Sequence, residues 1–173
     1  MINLTTKIVN PIGTTWQDYP DPESLAVIVY FLGCENSCNN CHNPLFKSRG
    51  YNHKDYTIKQ LYTELFDLCY RSKTKCLILS GGDSLSSLNV EFTKQFVRSY
   101  GNIFDICIYT GYNIEYVKLN GIKGFTFIKT GLYDETLKQE SIKTDNYFQL
   151  ASTNQEIYNQ GFTLCTRDGR MNF

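Results

Sequence analysis

Four short apolar runs, Leu25–Leu32, Cys76–Leu79, Ile103–Tyr109 and Phe125–Lys129, each stop at a turn that carries glycine. Helical patterns intervene. Thr57 opens one with Gln60 three residues on, a capping-box pair, and Ile58, Leu61, Tyr62, Leu65, Phe66 and Cys69 share its face to about Arg71. Asn89 to Tyr100 is a second, with Phe92, Phe96 and Val97 inward. Strand, loop and helix in repeated order imply βαβ units, right-handed crossovers and a parallel sheet or barrel. Leu25–Leu32 is apolar without alternation, as a strand buried on both faces and covered by helices is. A short helix at Asp134–Gln139, a strand at Tyr147–Leu150, a helical turn after Ser152 and a strand at Phe162–Thr166 complete the reading. Residues 1–24 read as irregular, with Gly13, Pro20 and Pro22 as breakers and Trp16 and Tyr19 as packing anchors.

Length sets the scale. At 173 residues the chain suits one domain, an irregular segment 1–24 and a βα core 25–166. A closed (β/α)8 barrel typically needs ~250 residues, so an open, partial βα barrel with mainly parallel strands is expected. Lysine plus arginine balance aspartate plus glutamate at 17 each, which argues against general binding to nucleic acid or a membrane surface. The N-terminus has no signal-peptide pattern and no run approaches the ~20 apolar residues of a membrane span, so a cytoplasmic protein is expected.

The loop after the first apolar run reads Gly33-Cys34-Glu35-Asn36-Ser37-Cys38-Asn39-Asn40-Cys41-His42-Asn43-Pro44. Three thiols in eight residues can wrap one iron–sulfur cluster. Three protein ligands leave one iron of a four-iron cluster open, as a catalytic metal keeps an open position. Thiolate and imidazole suit zinc as well, so a zinc site of Cys34, Cys38, Cys41 and either His42 or His53 stands beside this reading. The other cysteines, Cys69, Cys76, Cys107 and Cys165, sit in apolar patterns and read as small buried hydrophobes. An odd total of seven, with no secretory signal, argues for a reducing compartment rather than disulfides.

The spacing C-x3-C-x2-C resembles that of radical S-adenosylmethionine (radical SAM) enzymes, in which the cofactor chelates the open iron. Sites in parallel α/β folds lie at the carboxyl ends of the strands, where the cysteine loop, Ser80-Gly81-Gly82-Asp83, Tyr109-Thr110-Gly111-Tyr112 and Lys129-Thr130-Gly131 would all meet. Gly81 and Gly82 would let backbone carbonyls approach an ammonium group, and Asp83 could accept from it; a plain strand-to-helix link explains the same residues. Lys129 either points inward toward a carboxylate or snorkels to solvent. Asn40, Cys41 and His42 could contact an adenine, and Tyr109 could wall the pocket or merely end a strand.

Taken together, Gly-Cys-x3-Cys-x2-Cys-His-Asn-Pro, Leu79-Ser80-Gly81-Gly82-Asp83-Ser84-Leu85, Tyr109-Thr110-Gly111-Tyr112 and Ser152-Thr153-Asn154-Gln155 resemble the activating enzymes of anaerobic (class III) ribonucleotide reductases, small radical SAM proteins. The resemblance runs from about Leu25 to Tyr158. It implies Cys34, Cys38 and Cys41 as ligands of a [4Fe-4S] cluster, and SAM held near Asn40, Cys41 and His42 and on the Ser80 to Asp83 turn. One electron, typically from a flavodoxin, would cleave SAM to methionine and a 5′-deoxyadenosyl radical, which takes hydrogen from a glycine of the reductase's large subunit. Another glycyl-radical activase, a small-molecule enzyme such as a carboxy-deazaguanine synthase, and a non-enzymatic zinc or electron-transfer module are the alternatives.

Overall fold

The computed structural model describes residues 4–21, 23–139, 148–167 and 170–171. Its elements run β1 (Thr5–Val9), β2 (Gly13–Thr15), β3 (Ala26–Phe31), β4 (His53–Thr57), α1 (Ile58–Arg71), β5 (Cys76–Gly81), α2 (Val90–Tyr100), β6 (Asp105–Tyr109), α3 (Ile114–Leu119), β7 (Phe127–Thr130), β8 (Glu156–Asn159), β9 (Thr166–Arg167) and β10 (Arg170–Met171). The main sheet has the order β4-β1-β3-β5-β6-β7-β8, with β2 also on β3. β3, β5, β6 and β7 are parallel to one another, while β1, β2, β4 and β8 join antiparallel. Among the described residues the sheet does not close. This is the expected open α/β sheet with a mainly parallel centre.

Alternation along the strands divides the core. Val27, Val29, Phe31, Leu77, Leu79, Ile106, Ile108 and Ile128 face the helices, which contribute Leu61, Leu65, Phe92, Phe96, Val97 and Val117. Ala26, Ile28, Ile78 and Cys107 face the other way, beside Tyr19, Tyr30, Tyr109 and Phe127. Among the described residues the three α-helices therefore cover one face, where the apolar run had suggested helices on both. The second face is free to carry a site. α1 shows how the helices attach. Its capping box is present, with Thr57 Oγ1 accepting from Gln60 N–H and Gln60 Oε1 accepting from Thr57 N–H. Leu61, Leu65 and Cys69, four apart, are buried, each leucine contributing roughly 1.5–3 kcal/mol.

The N-terminal segment corrects the sequence reading. Thr6 and Ile8 point into the core from β1, which pairs with both β3 and β4, and β2 pairs with the start of β3. Trp16 is 63% exposed and anchors nothing; Tyr19 is buried against Phe127, ring centroids 6.0 Å apart and edge-on. The helix expected at 134–139 is a single 3-10 turn, Glu135–Leu137. Of the expected strand at 147–150, Tyr147 lies outside the described residues. Phe148 and Leu150 pack on Ile157 and Met171 outside any extended strand. The turn after Ser152 is closed by the Gln155 amide donating to the Ser152 carbonyl at 3.2 Å. β8 follows and was not anticipated; the stretch 162–166 returns beside it through the Tyr158–Leu164 bridge. Cys69, Cys76 and Cys107 are buried as expected, and Cys165 is half-exposed. No described helix is long and apolar enough to cross a membrane.

Candidate active site

Registers at the ends of the parallel strands place four loops together. Phe31 pairs with Gly81, Leu79 with Ile108 and Tyr109 with Lys129, so β3, β5, β6 and β7 end side by side. The cavity there has a volume of about 380 Å³, within the usual range for small-ligand sites. Cys34, Cys38, Cys41 and His42 line it from the cysteine loop, Ser80 to Asp83 from the end of β5, and Tyr109 and Lys129 from β6 and β7. Asn40 is outside that lining. It is exposed in the turn between Cys38 and Cys41, at φ 52°, a left-handed conformation that asparagine tolerates better than most residues.

The cysteine loop is built on backbone contacts. Gly33 N–H donates to the Phe46 carbonyl at 2.8 Å and Cys34 N–H to that of Lys47 at 3.2 Å, closing the loop at its base. Gly82 N–H donates to the Phe31 carbonyl at 2.7 Å and Asp83 N–H to that of Gly33 at 3.0 Å. A Cβ on Gly81 would stand 2.3 Å from the Phe31 nitrogen, and one on Gly82 2.6 Å from the Phe46 oxygen. These two glycines thus admit the neighbouring chain, a reason for them that precedes any ligand. The three thiols are half-buried. Burial pushes the Cys34 thiol up, and the nearby Asp83, Cys38 and Cys41 add to this.

Asp83 is 2% exposed. Its Oδ2 accepts from Gly111 N–H, Asn36 Nδ2 and Thr110 Oγ1, at 2.9, 3.0 and 3.1 Å, and its Oδ1 from Leu85 N–H at 2.8 Å. Burial raises its pKa; the donated hydrogen bonds and the Lys129 charge oppose the rise. Lys129 is half-buried, with Nζ 5.2 Å from the centre of the Tyr109 ring, so of the two readings of this side chain the inward one holds. Burial lowers its pKa to about 8, against the pull of Asp83, Cys38 and Cys107. His42 packs on Tyr133 with ring centroids 4.4 Å apart. His53 is remote, on β4, in contact with Lys7 and the Tyr51 carbonyl.

Sequence reading missed several lining residues: Gln17 and Asp18, Ile28 and Tyr30 of β3, Asn36, and the 148–151 stretch. Period-two alternation could have found Ile28 and Tyr30, which must share a face. Nothing local marks Gln17 and Asp18, which arrive because the Tyr109 hydroxyl donates to the Asp18 carbonyl across 91 residues of sequence.

Among the described residues no three of His, Cys, Asp or Glu are close enough to share one metal ion. Cys34, Cys38 and Cys41 all line one cavity, and cysteine thiolates are the usual ligands of iron–sulfur clusters. Residues 23–158 match the family described as a 4Fe-4S single cluster domain. The chain belongs to this family. A relative, the anaerobic ribonucleoside-triphosphate reductase-activating protein of Haemophilus influenzae, is 32% identical over 103 residues, which cover 57% of this chain and 65% of the relative. The chain thus spans just under two thirds of that relative, and the similarity agrees with the resemblance carried by the motifs. The crystal structure of QueE from Escherichia coli aligns at a TM-score of 0.42 and 15% identity, over 61% of this chain and 53% of that one.

Proposed function

We propose that this chain is a radical SAM activase that installs a glycyl radical in the large subunit of an anaerobic ribonucleotide reductase. The observation that carries the reading is that three thiols and the Gly81-Gly82 turn face one cavity. Cys34, Cys38 and Cys41 would hold a [4Fe-4S] cluster with one iron left for the cofactor. When bound, cluster and SAM supply one-electron cleavage to a 5′-deoxyadenosyl radical, with the electron drawn from a flavodoxin-type donor.

The chain's own residues bind, orient and shield. Backbone carbonyls of the Ser80 to Gly82 turn would receive the ammonium of SAM, and the inward Lys129 its carboxylate, while Cys41 and His42, with the neighbouring Asn40 backbone, would border the adenine. Tyr109 and Tyr30 wall the cavity with aromatic surface, which limits water and stray C–H bonds near the reacting carbon. The unclosed sheet would leave room for a protein loop. We assign the whole of residues 1–173 to one domain working in the cytoplasm.

The deciding experiment is anaerobic. The protein is reconstituted with iron and sulfide, mixed with reductant, SAM and the reductase subunit, and examined by electron paramagnetic resonance. A protein-centred doublet on the subunit that requires both SAM and Cys38 is expected. SAM cleavage without that doublet would reject the substrate, and no SAM cleavage would reject the enzyme class.

A further inference from the structure

Three strand-end loops meet at one carboxylate. Asp83 ends the loop after β5; Asn36, which donates to its Oδ2 at 3.0 Å, lies two residues beyond Cys34 in the loop after β3. Thr110 and Gly111, which donate to the same oxygen at 3.1 and 2.9 Å, lie in the loop after β6. Asp83 itself is buried, so each of these donated bonds offsets the cost of burying its carboxyl oxygen.

Gly111 is shaped for this contact. A Cβ there would stand 2.5 Å from Asn36 Nδ2 and 3.1 Å from its Cγ, so the amide occupies the space a side chain would take. The backbone at Gly111 is not in the left-handed region, and room for Asn36 is a sufficient reason for glycine. A second brace acts on the residue before. Glu35 accepts from the Tyr112 hydroxyl at 2.9 Å and from Ser87 N–H at 3.3 Å. The limb of the loop that carries Cys34 is therefore tied by side chains to the loops after both β5 and β6.

We infer that Asn36 is a positioning residue: through Asp83 it fixes Cys34 in register with the Gly81-Gly82 turn. It touches no reacting atom. Loss of the amide would leave the base of the loop attached by the Lys47 carbonyl and by the Asp83 N–H on the Gly33 carbonyl, and its side by Glu35, while the stretch from Cys34 to Asn36 loses its one side-chain tie to Asp83 and gains freedom to move. The inference rests on the proposed role of Cys34 as a cluster ligand.

The test uses the full chain with Asn36→Ala, Gly111→Ala and the double variant, and Asn36→Ser as a milder replacement whose hydroxyl is too short to reach Asp83. In metal-free protein, peptide mass spectrometry follows iodoacetamide alkylation of Cys34, with Cys38 as internal reference. In reconstituted protein, iron release to a chelator is timed. Each single variant should speed both processes by roughly 2–10-fold, the range expected for loss of one hydrogen bond. The double variant should fall close to Asn36→Ala and well short of the sum, because the Gly111 methyl then meets only Leu132 Cδ2, 2.9 Å away at the end of a flexible side chain. Unchanged Cys34 alkylation in Asn36→Ala and Asn36→Ser, or additive effects in the double variant, would overturn the inference. A parent protein that takes up no iron would instead overturn the proposed function, while the alkylation comparison would still report on the tie.

Discussion

A methyl group on Gly82 would lie 2.7 Å from the carbonyl oxygen of Gly33, so the turn after β5 and the base of the cysteine loop touch backbone to backbone. Neither side can yield by a rotamer change. Gly82→Ala should cost about 1–3 kcal/mol and lower the melting temperature by roughly 3–10 °C. Gly81→Ala should cost more, since φ is +112° there and the nearest backbone atom is at 2.3 Å. Gly13→Ala, with nothing within 4 Å, should leave the melt unchanged. Thermal unfolding of the three variants checks the order, and a Gly82→Ala protein as stable as Gly13→Ala would refute the packing argument.

Lys129 gives a stability that depends on pH. Burial holds its pKa at about 8 in the folded, metal-free chain, against an ordinary 10.5. Below pH 8 the folded protein carries an ammonium it disfavours. Between those values the unfolded chain binds a proton that the folded chain lacks, so stability rises with pH. Lys129→Met should therefore be more stable than the parent at pH 7 by at most about 3 kcal/mol, less about 0.5–2 for the lost contact with the Tyr109 ring. The advantage should narrow by pH 9.5. Urea unfolding of both proteins at the two pH values measures it, and a constant difference would exclude the lowered pKa.

The elements legible in the sequence were those whose cause is local. An apolar run, a Thr57–Gln60 capping pair and a cysteine trio each announce themselves within a dozen residues, and the fold places them where they were expected. β1 and β4 were hidden because they are short and largely polar: beside Lys7, Lys54 and Asp55, only Thr6, Ile8 and Tyr56 are buried, too few apolar positions to stand out. The inner wall was hidden for a different reason. Asn36 meets Asp83 across 47 residues and Asp18 meets Tyr109 across 91, and no window short enough to show periodicity spans either pair.

The two classes of cysteine should separate by iron content. Cys34→Ala, Cys38→Ala and Cys41→Ala should each lose most of the iron and sulfide after reconstitution, because a cluster held by two thiolates is labile. Cys69→Ala and Cys107→Ala should keep it. Burial pushes the Cys69 thiol up to about 11 and the fully buried Cys107 further still, so neither offers the thiolate that a metal needs. Their cost should be about 1 kcal/mol of stability. Full iron in any of the first three, or its loss in the last two, would reassign the ligands.

Tyr109 ties the N-terminal segment to the cavity. Its hydroxyl donates to the Asp18 carbonyl, beside Gln17 at φ 68° and the buried Tyr19. Removing the hydroxyl in Tyr109→Phe deletes one hydrogen bond, worth about 1 kcal/mol, at a segment held otherwise by the β2 pairing that ends at Thr15 and by Tyr19 on Phe127. The loss should be local, because β6 keeps its pairing to β5 and β7. Amide exchange at residues 16–19 should quicken by roughly 5-fold, while α1 and β5 stay protected and the melting temperature falls by only a few degrees. Exchange mapped by mass spectrometry decides it: unchanged protection at 16–19 would mean that Tyr19 and the β2 pairing hold the segment without this bond, and a matching loss in β5 would mean that it belongs to the cooperative core.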